Sequence, residues 1–330
     1  MEDKTGKSKY AYDALGRLTE VTQGDGKSIK YQYGENNLVS AIIYPDGKKV
    51  EYQYNKNHKL IKVIDGEKTA DYEYNDAGKV TLAKRSNGLY TEYGYDSTGN
   101  VVSLKNTKNT EDSPALTLSS FNYQYDNRNN IVKEVAIEGE TRVSREFTYN
   151  ELDQLTSFFE EEENSHIKHE YSYDKAGNRV KLIKTSKVEE EIGEETETID
   201  YLYNKVNELT EETSTKYGTT TYIYDENGNM TSQRNEAKNE EISYEYTLEN
   251  RLKAVKKSGR LLIALTYNGD GDRMFSKRKK DEYSENKDTI IPEEIDVDKD
   301  VNSGFDLTHY INDINKKNAE VLATYGKEAD

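Results

Sequence analysis

Two histidines, His166 and His169, stand three residues apart beside the acidic run Glu160 to Glu163. Imidazoles and carboxylates so close together are the side chains of metal centres and of general acid–base chemistry. In an extended strand, however, a spacing of three sends the two rings to opposite faces. No HExxH pattern and no cysteine accompanies them, so no metal site is expected. A second acidic run spans Glu189 to Glu197. Glycoside hydrolysis needs two carboxylates at a fixed separation in a cleft, one of them with a raised pKa. Runs of this length at hairpin tips read instead as solvated faces. Two stretches, Asn268 to Arg273 and Asp296 to Gly304, resemble calcium loops. An EF-hand loop requires Gly at its sixth place and Glu at its twelfth. Those places hold Arg273 and Lys279 in one stretch, Val301 and Leu307 in the other. With no glycine-rich phosphate cradle and no nucleophile elbow either, no catalytic residue, metal or cofactor is expected.

The elements that carry these residues are polar and thin. Of 330 residues only 33% are hydrophobic and the mean hydropathy is −1.04, well short of an ordinary globular domain. Disordered chains are poor in aromatics, yet this one has 28 Tyr and only 3 Pro. A tyrosine-rich β structure without a deep core fits both facts. The net charge of −17 disfavours nucleic acid and anionic membranes as partners. Zero cysteines exclude disulfides and thiol chemistry, and no apolar run is long enough to cross a bilayer. The first residues, MEDKTGKSKY, do not read as a signal peptide, and we expect the chain to be a piece of a longer protein.

Self-similarity organises the sequence. Aromatic pairs of the form Y-x-Y recur: Tyr10 and Tyr12, Tyr31 and Tyr33, Tyr52 and Tyr54, Tyr72 and Tyr74, Tyr93 and Tyr95, Tyr123 and Tyr125, Tyr171 and Tyr173, Tyr201 and Tyr203, Tyr222 and Tyr224, Tyr244 and Tyr246. Phe147 with Tyr149 and Leu265 with Tyr267 complete twelve units. The period is near 21, stretched to 24 or 30 in the middle. Residues Ile29, Tyr31 and Tyr33 share one parity and hence one face of a strand. A turn follows each pair, with Asp first and Gly fourth, the type I preference: Asp13 and Gly16, Asp96 and Gly99, Asp174 and Gly177, Asp225 and Gly228. His58 takes the Gly place in its unit and reads as structural. A short strand and a second turn, such as Asp25-Gly26 or Asn87-Gly88, close each hairpin. A lone hairpin is marginal in water, so the copies must stack. We expect an all-β fold: repeated β-hairpins forming one long, curved antiparallel sheet, a fragment of a β-solenoid or spiral shell. Matched tyrosines of neighbouring hairpins are expected to lie beside one another as a ladder.

The units YAYDALGRLTEV, YGYDSTGNVVSL, YSYDKAGNRVKL and YIYDENGNMTSQ follow Y-x-Y-D-x-x-G-(R/N)-(L/V). This pattern resembles the YD repeat of the rearrangement-hotspot (RHS) family. Gly34 and Thr247 replace the turn Asp, and Asn replaces it at 55, 75, 150, 204 and 268. The segment from Thr308, THYINDINKKNAEVLATYG, resembles the stretch after the repeats in Gram-positive wall-associated relatives. The expected organisation is a YD-repeat array over 1–275, with longer hairpins within 104–200. A charged insert or loop over 276–307 and the start of a post-repeat segment over 308–330 follow it.

The resemblance implies a hollow shell that encloses a C-terminal toxin in bacterial polymorphic toxins and insecticidal toxin complexes. In teneurin-like proteins it implies a barrel used in cell-surface recognition. On that basis the expected role is a non-catalytic shell segment of a secreted or cell-surface bacterial protein, Gram-positive and wall-associated. Its partner would be a C-terminal toxin domain of the same parent chain. The alternative is a carbohydrate-binding or adhesion module that holds cell-wall glycans on aromatic faces. Tyr44, Tyr90, Tyr217 and Tyr283, outside the motif, would then be the ligand contacts.

Overall fold

The computed structural model describes residues 2–3, 6–110, 113–188, 193–279, 305–313 and 320–327, with no side-chain detail beyond residue 278. Among them every regular element is a strand. The chain divides into two compact units, residues 29–200 and residues 1–28 with 201–330. Each is an antiparallel meander in which hairpins follow one another as in the sequence.

In the unit of residues 29–200, the strand Ser28–Tyr33 pairs with Val39–Ile43, which pairs with Lys49–Tyr54, and so on to Glu195–Tyr203. Strands of five to seven residues give way to longer ones between Val101 and Tyr203, the longest being Ser113–Tyr125 with 13 residues. In the other unit, Lys9–Tyr12 pairs with Leu18–Thr22, and the strands from Leu209–Ser214 to Arg273–Lys279 form the same meander. Strand Arg273–Lys279 runs past the expected boundary at 275, because Phe275 to Lys279 pair with the strand Phe305–Asp313. That strand pairs in turn with Glu320–Lys327. The stretch expected to follow the array therefore continues its sheet, and the calcium-like stretch from Asp296 lies outside the described residues, as does Tyr283.

One face of each sheet carries the Y-x-Y residues and the aliphatic residues opposite them. There Ile29 is 1% exposed and Tyr31 is 3% exposed, while Lys30 and Gln32 between them face solvent. The opposite face bears cross-strand ion pairs such as Lys62–Asp71 at 3.2 Å and Lys133–Glu146 at 2.7 Å. Pairs this exposed contribute little to stability. Among the described residues, buried apolar side chains are spread along the sheets, and Ala254, Leu261 and Ala264 form a cluster.

The register overturns one expectation. Tyr31 lies opposite Ile42, which lies opposite Val50; Tyr52 sits two residues further along. Likewise Tyr52 faces Val63, then Ala70, and Tyr72 is again two residues on. Tyrosine strands are separated by an aliphatic return strand, and each hairpin is staggered by two residues. Equivalent tyrosines are thus diagonal second neighbours and do not form a directly paired ladder.

Candidate functional site

The tyrosines make a different connection. Each return strand carries one extra residue opposite the second aromatic: Gln32 pairs with Ala41, but Tyr33 pairs with Val39. The same shift occurs before Tyr54, Tyr95, Tyr125, Tyr149, Tyr173, Tyr246 and Tyr267. A bulge of this kind takes a carbonyl out of the regular ladder. The hydroxyl of the next hairpin's second tyrosine donates to it. Tyr54, Tyr74, Tyr95, Tyr125, Tyr149 and Tyr173 donate to the carbonyls of Val39, Leu60, Val80, Val101, Ile131 and Leu155, at 2.5–2.9 Å. In the other unit Tyr246 and Tyr267 donate to Met230 and Leu252, both at 2.9 Å. Burial raises the pKa of all eight phenols. Tyr12 stands apart: it is 61% exposed.

The first aromatics pack instead. Tyr10, Tyr72, Tyr93, Tyr171 and Tyr244 lie opposite Val21, Ala83, Leu104, Leu182 and Val255. Tyr123 and Tyr222 face the polar Glu134 and Gln233. Tyr201 is buried, 5% exposed. Tyr222 is pushed up to about 12 by burial, with Glu212 beside it. Tyr10 also rises to about 12 by burial, and its hydroxyl donates to Asp270 at 3.1 Å.

The turn aspartates are spent on their own backbone. Asp13 Oδ1 accepts from the amides of Leu15 and Arg17, both at 2.9 Å. Asp96, Asp126, Asp174 and Asp225 repeat the arrangement. All five have depressed pKa values. The leading cause is a bond from the fifth turn residue at Asp13, Asp126, Asp174 and Asp225, and from the Thr98 hydroxyl at Asp96. The fourth place is left-handed whatever fills it: Gly16, Gly99, Gly177 and Gly228 at φ 76° to 89°, His58 at 60° and Asn250 at 58°. The substitutions at Gly34 and Thr247 keep the turn. Asn37 still donates to the Gly34 carbonyl at 3.0 Å, and Asn250 to that of Thr247 at 3.1 Å. Asn36 supplies the oxygen that Gly34 lacks, accepting from the Leu38 amide.

The side chains that suggested chemistry are dispersed by the sheet. His169 lies on the tyrosine face, 5.6 Å from the Phe158 ring and 6.3 Å from that of Tyr171. Burial, then the nearby Lys184, lowers its pKa. His166 points the other way, against Phe159 at 5.7 Å and Glu194 at 3.7 Å. Glu160 is held by Arg145 at 2.6 Å, and the same guanidinium binds Glu134. One guanidinium thus bridges two carboxylates across three strands. Asn268 to Arg273 forms an ordinary YD turn, with the Asp272 amide on Asn268 Oδ1 at 2.8 Å. Among the described residues no group of three metal-ligating side chains converges. Sequence reasoning missed the bulge carbonyls and the role of Arg145. The former leave no residue signature, and the latter needs the pairing of three strands.

Between consecutive YD turns the sheet edge forms shallow grooves. One, of about 460 Å³, is lined by Asp96, Asn100, Tyr123, Tyr125 and Asn129, among others. Its counterpart in the other unit, about 430 Å³, is lined by Asp225, Asn227, Tyr244, Tyr246 and Asn250.

Residues 1–65 match the family model of the Teneurin YD-shell. That stretch holds the first three of the twelve Y-x-Y units. No curated protein matches it. Among solved structures it is similar to the TcdB2-TccC3-TEV protein, with a TM-score of 0.45 and 9% identity over 97% of this chain and 22% of that one. The TcdB2-TccC3-Cdc42 protein gives 0.43 and 10% over the same shares. The Photorhabdus luminescens Tc holotoxin pore gives 0.31 and 11%, over 81% of this chain and 18% of that one. The YD-repeat chain thus spans about a fifth of the length of these proteins. No helix among the described residues is long and apolar enough to cross a membrane.

Proposed function

We propose that this YD-repeat array is a non-catalytic wall segment of a secreted or cell-surface protein, enclosing or presenting a C-terminal toxin domain of the same parent chain. The observation that carries the reading is where the chemistry-bearing side chains go. Phenols bind the backbone of the neighbouring hairpin and turn carboxylates bind their own loop, so both serve continuity of the sheet. A continuous ladder of main-chain bonds, one layer thick, separates two spaces and keeps a protease from the far side. Gram-positive wall association belongs to the same proposal, on the likeness of the segment from Thr308 to wall-associated relatives. Limited proteolysis of the full-length parent tests the enclosure. Protection of a C-terminal domain until the sheet is denatured supports it; release as fast as from a tethered tail refutes it.

A second reading, glycan binding, is favoured by the two equivalent grooves. Each sets tyrosine rings beside amide and carboxylate groups, the chemistry that stacks on a sugar and bonds its hydroxyls. Saturable retention on a glycan array, lost in Tyr123→Ala, would support it. Failure to retain any glycan would remove it.

A further inference from the structure

We infer that the rim of YD turns carries a pairing rule by which each hairpin recognises the next. The residue after the left-handed fourth place, the fifth of each turn, reaches the fourth place of the following turn. Which side chain it uses depends on what it meets. Within each unit, where the next fourth residue is Asn or Asp, the fifth is a short amide. Asn100 donates to Asn129 at 2.9 Å, Asn130 to Asp153 at 2.7 Å and Asn229 to Asn250 at 3.1 Å. Where the next fourth residue is Gly, the fifth is long. Lys79 donates to the Gly99 carbonyl and Gln154 to that of Gly177 at 3.3 Å. The side chains of Lys59, Glu208 and Arg251 lie over the positions of Gly78, Gly228 and Gly271.

The fit is steric as well as polar. A Cβ added at Gly78 or Gly228 would come within 3.1 or 3.3 Å of the incoming Lys59 or Glu208. At Gly99 and Gly271 it would run into the Lys79 amine and the Arg251 guanidinium. At Gly16 an added Cβ would meet nothing within 4 Å. The junction of Leu38 with His58 is the one described exception within either unit. A long side chain therefore needs a vacant socket, and a short amide needs a side chain standing in it. Mismatched neighbours either collide or leave a gap, so the rule fixes the order and alignment of otherwise similar hairpins.

Exchanging one pair type for the other tests this in the full chain. Lys79→Asn removes the reach to Gly99, and Gly99→Asn fills the socket that Lys79 occupies. Amide exchange in the turn Asp96 to Asn100 should quicken roughly fivefold in each single variant. In the double variant, which recreates the Asn100–Asn129 pair, it should return to within about twofold of the parent. Multiplicative effects in the double variant, or no change in either single one, would overturn the rule. Should either single variant fail to fold, Asn229→Lys with Asn250→Gly runs the exchange in reverse, and the same two outcomes decide.

Discussion

A phenol that donates to a neighbouring carbonyl has a dispensable ring and an indispensable oxygen. Tyr95→Phe keeps the ring and strands the Val80 carbonyl, which should cost about 1 kcal/mol. Urea unfolding followed by tyrosine fluorescence would measure it, and Tyr12→Phe, at an exposed phenol, should cost nothing measurable. Protonation follows the same logic. The phenol pKa values are raised by folding, so their contribution is complete below about pH 10, the unfolded value, and is lost as pH climbs toward the folded ones, about 12 for Tyr10 and Tyr222. The turn aspartates are lowered by folding, so theirs is complete above about pH 4 and fades below it. Denaturation midpoints should accordingly be level between those limits and fall at both ends. A midpoint that holds steady from pH 9 to 12 would contradict the buried phenols.

At the scale of the hairpin, every YD turn but the one at Gly34 takes its acceptor from the first residue, and Thr247 is the weakest of these. Its hydroxyl lies 3.3 Å from the amides of both Glu249 and Arg251, against 2.8–2.9 Å at Asp96. Thr247→Asp should shorten both bonds and raise stability by about 0.5–1 kcal/mol, seen as a higher melting temperature. Hairpins, parity and turns were legible in the sequence, because alternation and the Asp-to-Gly spacing are local signals. What ring meets what was not. Tyr31 and Tyr52 look matched in one dimension, but the two-residue stagger depends on bulges that carry no residue signature of their own. The bulge residue opposite Gln32 and Tyr33 is Ser40, and nothing in that serine announces it. The pairing of Phe305–Asp313 was hidden for a related reason. Tyr310 and Asn312 take the Y-x-Y places of a further hairpin, with the bulge between Ile311 and Asn312, but Asn312 lacks the aromatic that marks the motif.

For the whole molecule, nearest-neighbour construction makes the period the unit of change. Deleting Asn55 to Tyr74 removes one complete turn-to-turn repeat and joins Tyr54 to Asn75 in frame. The shortened chain should keep its β-sheet circular dichroism and unfold cooperatively, since each hairpin depends mainly on its immediate neighbours. Deleting only Asn55 to Ile64 should abolish folding, because it reverses the direction of every later strand. The meander has one more consequence, for how the protein comes apart. Anything that draws the polypeptide out from one end meets hairpins singly, each freeing about 70 Å of slack per 21 residues before the next phenolic tether takes the load. The sheet is thus stout against attack across its surface, yet made to be unspooled in countable steps.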